Sequence, residues 1–344
     1  RPGVRTGNLL MKRVLVVRIG RLGDAIMATP VIEVLQKAYG ADLSIDFAAS
    51  PGASAYILEM DQRINRVFPI AHRSAPWRFH RVKRELAKHS HAHPYDLVIN
   101  LECGNECDDF IRFVNHREFC GRPLVQPRQQ ADRHCVDTEK SIYADMLGAA
   151  ITADAETSLQ LQLDSGEIPV AAGSDYVVIN PGFSGIQKPG YRSHRAWPLA
   201  HWQSLLDLFR SSAGLSVLIN GTTDEQREFA SLLSTHGVYS LFGSSIPTLV
   251  SALDNAKALI TVDTGTMHLA TALKTPVIAL FGPTNPVLTG PYSHQVPNKV
   301  LVSGIDCHPC VGTREQKKCV FNRCMSELEP VNVFHEYQKL TTYF

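Results

Sequence analysis

Two stretches of this chain repeat one local design: a short β-branched run, a loop of small residues, then a helical period. The first is Arg13-Val-Leu-Val-Val-Arg18, followed by Gly20 to Asp24 and an apolar spacing that predicts a helix over Ala25 to Ala38. Strands are predicted again at Leu43 to Phe47 and Tyr95 to Leu101. The pattern restarts with a strand at Tyr176 to Asn180. Helices are then predicted at Leu199 to Ser211, Asp224 to Ser234 and Met267 to Leu273, alternating with strands at Leu215 to Asn220, Ala258 to Val262 and Pro276 to Phe281. Alternation of this kind builds parallel sheets, so the expected fold is α/β in two halves. The polar, turn-rich stretch Asp164 to Asp175 reads as the linker, which gives domains 11–168 and 169–344.

A length of 344 residues with 44% hydrophobic and 19% charged side chains is enough for two globular cores and argues against long disorder. The net charge of +1 gives no global basic field, so nucleic acid is not an expected partner. The longest apolar runs are short. Val14 to Val17 is flanked by Arg13, Arg18 and Arg21, which fits neither a signal peptide nor a membrane span and places the expected protein in the cytoplasm. Arg1 to Leu10 carry no period and read as a leader preceding Met11.

The loops after the predicted strands carry the chemistry. Asp263-Thr-Gly-Thr-Met-His268 lies between a strand and a helix, where unpaired backbone N–H groups and a positive dipole end can seat a diphosphate; Gly265 leaves room for it. The other reading is a plain helix cap at Asp263 or Thr264. The next strand ends in Phe281-Gly-Pro-Thr-Asn-Pro286, so two successive strand ends open into small-residue loops, the place where open α/β sheets bind ligands. Asn180-Pro-Gly182 follows the first strand of the second half. Further on, Lys188 and Arg192 lead to Arg195-Ala-Trp-Pro198, where Pro198 is well placed as the first residue of a helix. The Arg195 guanidinium there either holds a departing diphosphate or is a solvated surface group.

Gly20-Arg-Leu-Gly23-Asp24 is not the Gly-x-Gly-x-x-Gly of a dinucleotide site. Asp24 reads either as a carboxylate that takes the proton of an attacking hydroxyl or as an N-cap. Between His72 and His93 lie Arg73, Arg78, Arg81, Lys83, Arg84 and Lys88 with one acid, Glu85, a patch that suits an anionic acceptor or reads as a solvated helix face. Cys307, Cys310, Cys319 and Cys324 have the spacing of a structural zinc knuckle, with reduced thiols or disulfides as the alternative. Cys103, Cys107, Cys120 and Cys135 read as lone core cysteines.

In this order the motifs resemble the ADP-heptose:lipopolysaccharide heptosyltransferases, which build the inner core of Gram-negative lipopolysaccharide. The resemblance spans Arg13 to about Val333. It rests on Arg18-Ile-Gly-Arg-Leu-Gly-Asp24 with Thr29-Pro30, Asn180-Pro-Gly182, Arg195-Ala-Trp-Pro198, Val262-Asp-Thr-Gly-Thr-Met-His268 and Phe281-Gly-Pro-Thr-Asn-Pro286. It implies a GT-B fold, two Rossmann-like domains facing each other across a cleft. The N-terminal domain would bind the acceptor and the C-terminal one the nucleotide sugar. The reaction it implies is inverting and needs no catalytic metal or other cofactor.

Asp24 matches the family's base. Asp263, Thr264, Gly265, Thr266 and His268, with Gly182, match the donor-phosphate region, and Glu225 matches the residue that binds ribose hydroxyls. Arg195 stands where relatives often carry lysine. Arg18, Arg21, Arg73, Arg78 and Arg81 would grip the Kdo or phosphorylated inner-core acceptor and bring the protein to the anionic inner face of the inner membrane. Two other classes stay open: a sugar-nucleotide epimerase, and a nucleotide-sugar-binding protein that has lost its chemistry.

Overall fold

The computed structural model describes residues 11–71, 75–102, 107–121, 132–162, 166–171, 173–183, 194–211 and 215–341. The leader at 1–10, Arg73, Cys103, Lys188 and Arg192 lie outside the described residues, as do positions 164, 165 and 172 of the expected linker.

The described chain divides into two compact units. The first runs to Gly121 and includes Val136–Ala155; the second takes Asp132–Cys135 and everything from Glu156 onward. The division therefore falls ahead of the boundary expected at 168/169. Hydrogen bonds explain why: the Glu156 carboxylate accepts from Ser293 Oγ and His294 N, Thr157 Oγ1 donates to Tyr292 O, and Gly166 N donates to Ser251 Oγ.

The first unit is a five-stranded parallel sheet of β1 (Arg13–Arg18), β2 (Ser44–Ala49), β3 (Arg66–Pro69), β4 (Tyr95–Asn100) and β5 (His116–Gly121), in the order β3-β2-β1-β4-β5. The second is a six-stranded parallel sheet of β6 (Tyr176–Asn180), β7 (Ser216–Gly221), β8 (Val238–Phe242), β9 (Leu259–Val262), β10 (Val277–Phe281) and β11 (Asn298–Val302), in the order β11-β10-β9-β6-β7-β8. The central strands β1, β6, β9 and β10 are covered on both faces, which is why they read as continuous β-branched runs rather than alternating ones.

The helix expected over Ala25 to Ala38 is two helices, Leu22–Met27 and Pro30–Tyr39. Pro30 has no N–H to continue the first helix but is well suited to begin the second. In the second unit the helix Leu199–Arg210 packs on Pro330–Thr341 through Phe209, Phe334 and Tyr337, while Trp202 meets Trp197 edge-on at 4.7 Å. No helix among the described residues is long and apolar enough to cross a membrane.

On β2 of the first sheet a buried carboxylate, Asp46, accepts from Tyr95 Oη at 2.7 Å, Asn65 Nδ2 at 2.7 Å and Arg13 Nη2 at 3.2 Å. His89 Nε2 lies 2.9 Å from Arg13 Nη2. Burial, reinforced by Arg66 and Arg13, holds the His89 imidazole below its usual titration range, against the opposing pull of Asp46. Folded protein thus resists a proton that the unfolded chain accepts from about pH 6.5 downward, so stability is fully present above that pH and is lost as pH falls through it. Thermal midpoints measured between pH 7.5 and 5.5 are expected to fall, and His89→Asn is expected to flatten part of that slope. An unchanged slope would remove His89 from the transition.

Candidate active site

In each sheet the strand order reverses once, between β1 and β4 and between β6 and β9. Adjacent crossovers leave in opposite directions there, and the carboxyl ends of the two strands open a crevice. Asp24 follows β1, and Asn180-Pro-Gly182 and Asp263-Thr-Gly265 follow β6 and β9. Both predicted motif groups therefore fall on switch points.

In the second unit the helix Gly265–Ala272 begins directly after β9. Thr264 is its N-cap, but the Thr264 side chain makes no capping bond; its hydroxyl lies 3.3 Å from Thr261 Oγ1. The first backbone N–H groups of a helix have no partner within it, so this end suits an anion. Asn180 laces the neighbouring elements together: its Oδ1 accepts from Asn220 Nδ2 at 2.6 Å and from Thr266 Oγ1 at 3.1 Å, and its Nδ2 donates to Gly182 O. The Thr266 hydroxyl is thus engaged in fixing the helix to β6. His268 is buried within the same helix.

Asp263 orients a cation. Its Oδ2 accepts from Thr284 Oγ1 at 2.8 Å and lies 3.4 Å from Arg195 Nε, while its main-chain oxygen accepts from Arg195 Nη1 at 3.3 Å. This ties together the two strand-end loops that the sequence singled out. The segment bearing Arg195 is itself anchored: Trp197 is buried with its indole N–H donating to Leu328 O, and Asn322 Nδ2 donates to Ala196 O. Arg195 is 36% exposed, a guanidinium on a rigid base with more donors than Asp263 takes. Pro198 is the cap of the following helix, Leu199–Arg210, rather than its first residue.

Glu225 closes the far side of this crevice, at the end of β7. Its Oε2 accepts from Thr222 N at 2.8 Å and Thr222 Oγ1 at 3.1 Å. The carboxylate sits where two glycines leave space. A Cβ on Gly182 would come within 2.5 Å of Glu225 Cδ and Oε1, and one on Gly221 within 3.2 Å of Oε2. Gly182→Ala is therefore expected to displace the Glu225 carboxylate and, with Glu225 in the ribose-binding role that the sequence resemblance implies, to weaken ADP binding about tenfold, the loss of one charge-assisted hydrogen bond. Calorimetric titration with ADP checks this, and unaltered affinity would sever Glu225 from the nucleotide.

In the first unit Asp24 sits in the first turn of Leu22–Met27, 35% exposed. Its Oδ2 accepts from Arg21 N at 2.8 Å and its Oδ1 from Arg18 Nη2 at 3.0 Å. Gly20 permits this pose, since a Cβ there would lie 2.4 Å from Asp24 Cβ and 2.6 Å from Oδ2. Arg18, expected to grip the acceptor, is instead 8% exposed and faces Asp24, Glu139 at 2.9 Å and Glu102 at 3.8 Å. A guanidinium enclosed by carboxylates is not offered to an anion. Glu102 and Glu139 were not singled out by the sequence. The one available signal was that Glu102 closely follows β4, at the switch point.

The basic patch is thinner than its composition. Lys83 is fully buried, donating to Ala75 O at 2.6 Å and Asp109 Oδ1 at 3.2 Å. Arg81, Arg84 and Lys88 form the exposed face of the helix Arg81–Ala92, with Arg78 just before it, and Arg21 is exposed at the cap of its own helix. These are the cations left for an anionic partner.

The zinc expectation is not met. Among the described residues no group of three or more His, Cys, Asp or Glu side chains is placed to hold a metal ion. Cys307 is exposed, Cys319 Sγ turns to Phe321 O at 3.2 Å, and Cys310 and Cys324 are buried. Burial, then the neighbouring Cys310, Cys307 and Cys319, pushes the Cys324 thiol up to about 11. The loop is held instead by Pro283 O, which accepts from Cys310 N and Val311 N, and by His308 on Thr284 O.

Residues 122–321, more than half of the chain, match the family model for Glycosyltransferase family 9 (heptosyltransferase). Lipopolysaccharide heptosyltransferase 1 of Pseudomonas aeruginosa is 27% identical over 336 residues, covering 90% of this chain and 88% of that protein. A solved family 9 glycosyl transferase from Veillonella parvula superposes with a TM-score of 0.76 at 19% identity, covering 97% of this chain and 98% of that one. For the solved Escherichia coli ADP-heptose lipopolysaccharide heptosyltransferase II the TM-score is 0.73 at 19% identity, with 96% and 99% covered. These structures share the GT-B class of fold, two parallel-sheet α/β units.

Proposed function

The chain belongs to glycosyltransferase family 9, and from that premise we propose that it moves a heptose from ADP-heptose to the Kdo/heptose inner core of lipopolysaccharide, with inversion at the anomeric carbon. The observation that carries this reading is the second unit's switch point, where Arg195, seated on Asp263, stands with the uncapped helix start at Gly265 and the Glu225 carboxylate. A diphosphate suits the helix end and the guanidinium, and a ribose diol suits Glu225.

Asp24 accepts the proton of the acceptor hydroxyl as that oxygen bonds to the anomeric carbon. The bond from that carbon to the ADP oxygen breaks, and the electron pair leaves on the diphosphate, stabilised by Arg195 and the backbone N–H groups around Thr264 to Thr266. Arg21, Arg78 and Arg81 serve the acidic acceptor, and with Arg84 and Lys88 draw the protein to the anionic inner face of the inner membrane.

Catalysis without a divalent ion follows from the donor set. Asp263 is the single carboxylate of the Asp263–Thr266 loop and is already engaged by Arg195 and Thr284, whereas magnesium is recruited by carboxylates together with phosphate oxygens. Initial rates with ADP-heptose and a Kdo-terminated acceptor, at fixed ionic strength, are expected to be nearly the same with and without EDTA. Loss of rate in EDTA that magnesium restores would overturn the metal-free mechanism. Donor consumed with no acceptor present would favour an epimerase.

A further inference from the structure

Asp24 does not stand alone in its crevice. Arg18 Nη2 donates to Asp24 Oδ1 at 3.0 Å and lies 2.9 Å from Glu139 Oε1, while Arg18 Nη1 is 3.8 Å from Glu102 Oε1. Glu102 Oε1 also accepts the backbone N–H of Ile19, in the loop that leads to Asp24. The two glutamate side chains are 0% and 4% exposed, so their charges act through protein rather than water. Lys140, beside Glu139, donates to Ala153 O and Ala155 O, Ser54 donates to Gly20 O, and Arg21 meets Asp24 through its backbone N–H.

A single arginine bonded to a carboxylate fixes it in place but also favours its charged form, and so weakens it as a base. Here three carboxylates share one guanidinium. We infer that Glu139 and Glu102 are positioning residues which, through Arg18, hold Asp24 in its reactive pose while offsetting the charge that would otherwise suppress its affinity for the acceptor's proton. The inference rests on the reading of Asp24 as the base.

Glu139→Gln tests it, because the amide keeps the shape and an acceptor for Arg18 but removes one charge. Arg18 then acts more strongly on Asp24. On the order of a tenfold loss in kcat at neutral pH is expected, with the acid limb of the pH–rate profile moved to lower pH. KM for ADP-heptose and ADP affinity are expected to stay at their wild-type values, with the variant folded at the assay temperature. A folded Glu139→Gln protein with wild-type kcat and an unmoved limb would overturn the inference, as would a loss of kcat that merely follows a loss of ADP binding or of stability.

If that variant does not fold, Arg18→Lys supplies the test. A single ammonium keeps the charge but cannot place one nitrogen between Asp24 and Glu139 and a second beside Glu102, as Nη2 and Nη1 of Arg18 do, so kcat should fall at unchanged KM; wild-type kcat would refute the coupling. Absence of transfer by the wild-type chain would instead overturn the reading of Asp24 as a base, and this inference with it.

Discussion

Asp24→Asn is expected to lower heptosyl transfer by about 10²–10⁴-fold while leaving ADP binding nearly unchanged. Asparagine keeps the size, and its one amide oxygen can still accept from Arg21 N, so the turn that opens Leu22–Met27 should persist; its amide nitrogen then faces the Arg18 donor and that bond is given up. What it cannot do is take up the acceptor's proton. Since Asp24 and the proposed nucleotide seat belong to different units, loss of turnover with retained ADP affinity is the signature that separates a base from a structural cap. Initial-rate kinetics beside calorimetry with ADP check it; transfer within a few-fold of wild type would return Asp24 to the role of an ordinary first-turn carboxylate.

Arg195→Ala is expected to affect both terms. Its guanidinium should meet the diphosphate in the bound donor and more strongly as charge builds on the leaving oxygen, so kcat should fall by about 10²–10³-fold and ADP affinity by roughly tenfold. Arg195→Lys sharpens the point. Lysine carries the charge but cannot bond at once to the Asp263 carboxylate and main-chain oxygen, as Nε and Nη1 of Arg195 do, so it should recover binding better than turnover. Unchanged kinetics in Arg195→Ala would assign the side chain to the surface.

The central strands were legible in the sequence because burial on both faces demands uninterrupted apolar runs, and β6 is found at its predicted residues, Tyr176 to Asn180. The strands that escaped prediction are β3, β5, β8 and β11, the four at the sheet edges. Each is partly exposed, as in His116–Gly121 or Asn298–Val302, so polar residues break the run and leave no period to read.

The candidate site divides in the same way. The loops at Gly20 to Asp24 and Asp263 to Gly265 announce themselves because a strand end followed by small residues and a helix is a local pattern. Partnerships between distant positions carry no such mark. Arg18 looked like one more loop cation until Glu102 and Glu139 were brought to it from far along the chain. Lys83 looked like part of a basic patch, but the fold buries it on Ala75 O and Asp109. Asp263 looked like a phosphate ligand by position, while its geometry makes it the seat of Arg195. The four cysteines had the spacing of a knuckle, and spacing alone does not set where the sulfur atoms point.

The most direct measurement is mass spectrometry of a Kdo-terminated acceptor after incubation of the purified chain with ADP-heptose, alongside a reaction lacking acceptor and one with Asp24→Asn. The expected result is an acceptor heavier by one heptosyl residue, with one ADP released per residue added, no donor turnover without acceptor, and product from Asp24→Asn formed about 10²–10⁴-fold more slowly. Donor converted to another sugar nucleotide in the absence of acceptor, or ADP-heptose bound tightly by the wild-type chain with the acceptor unchanged, would contradict it.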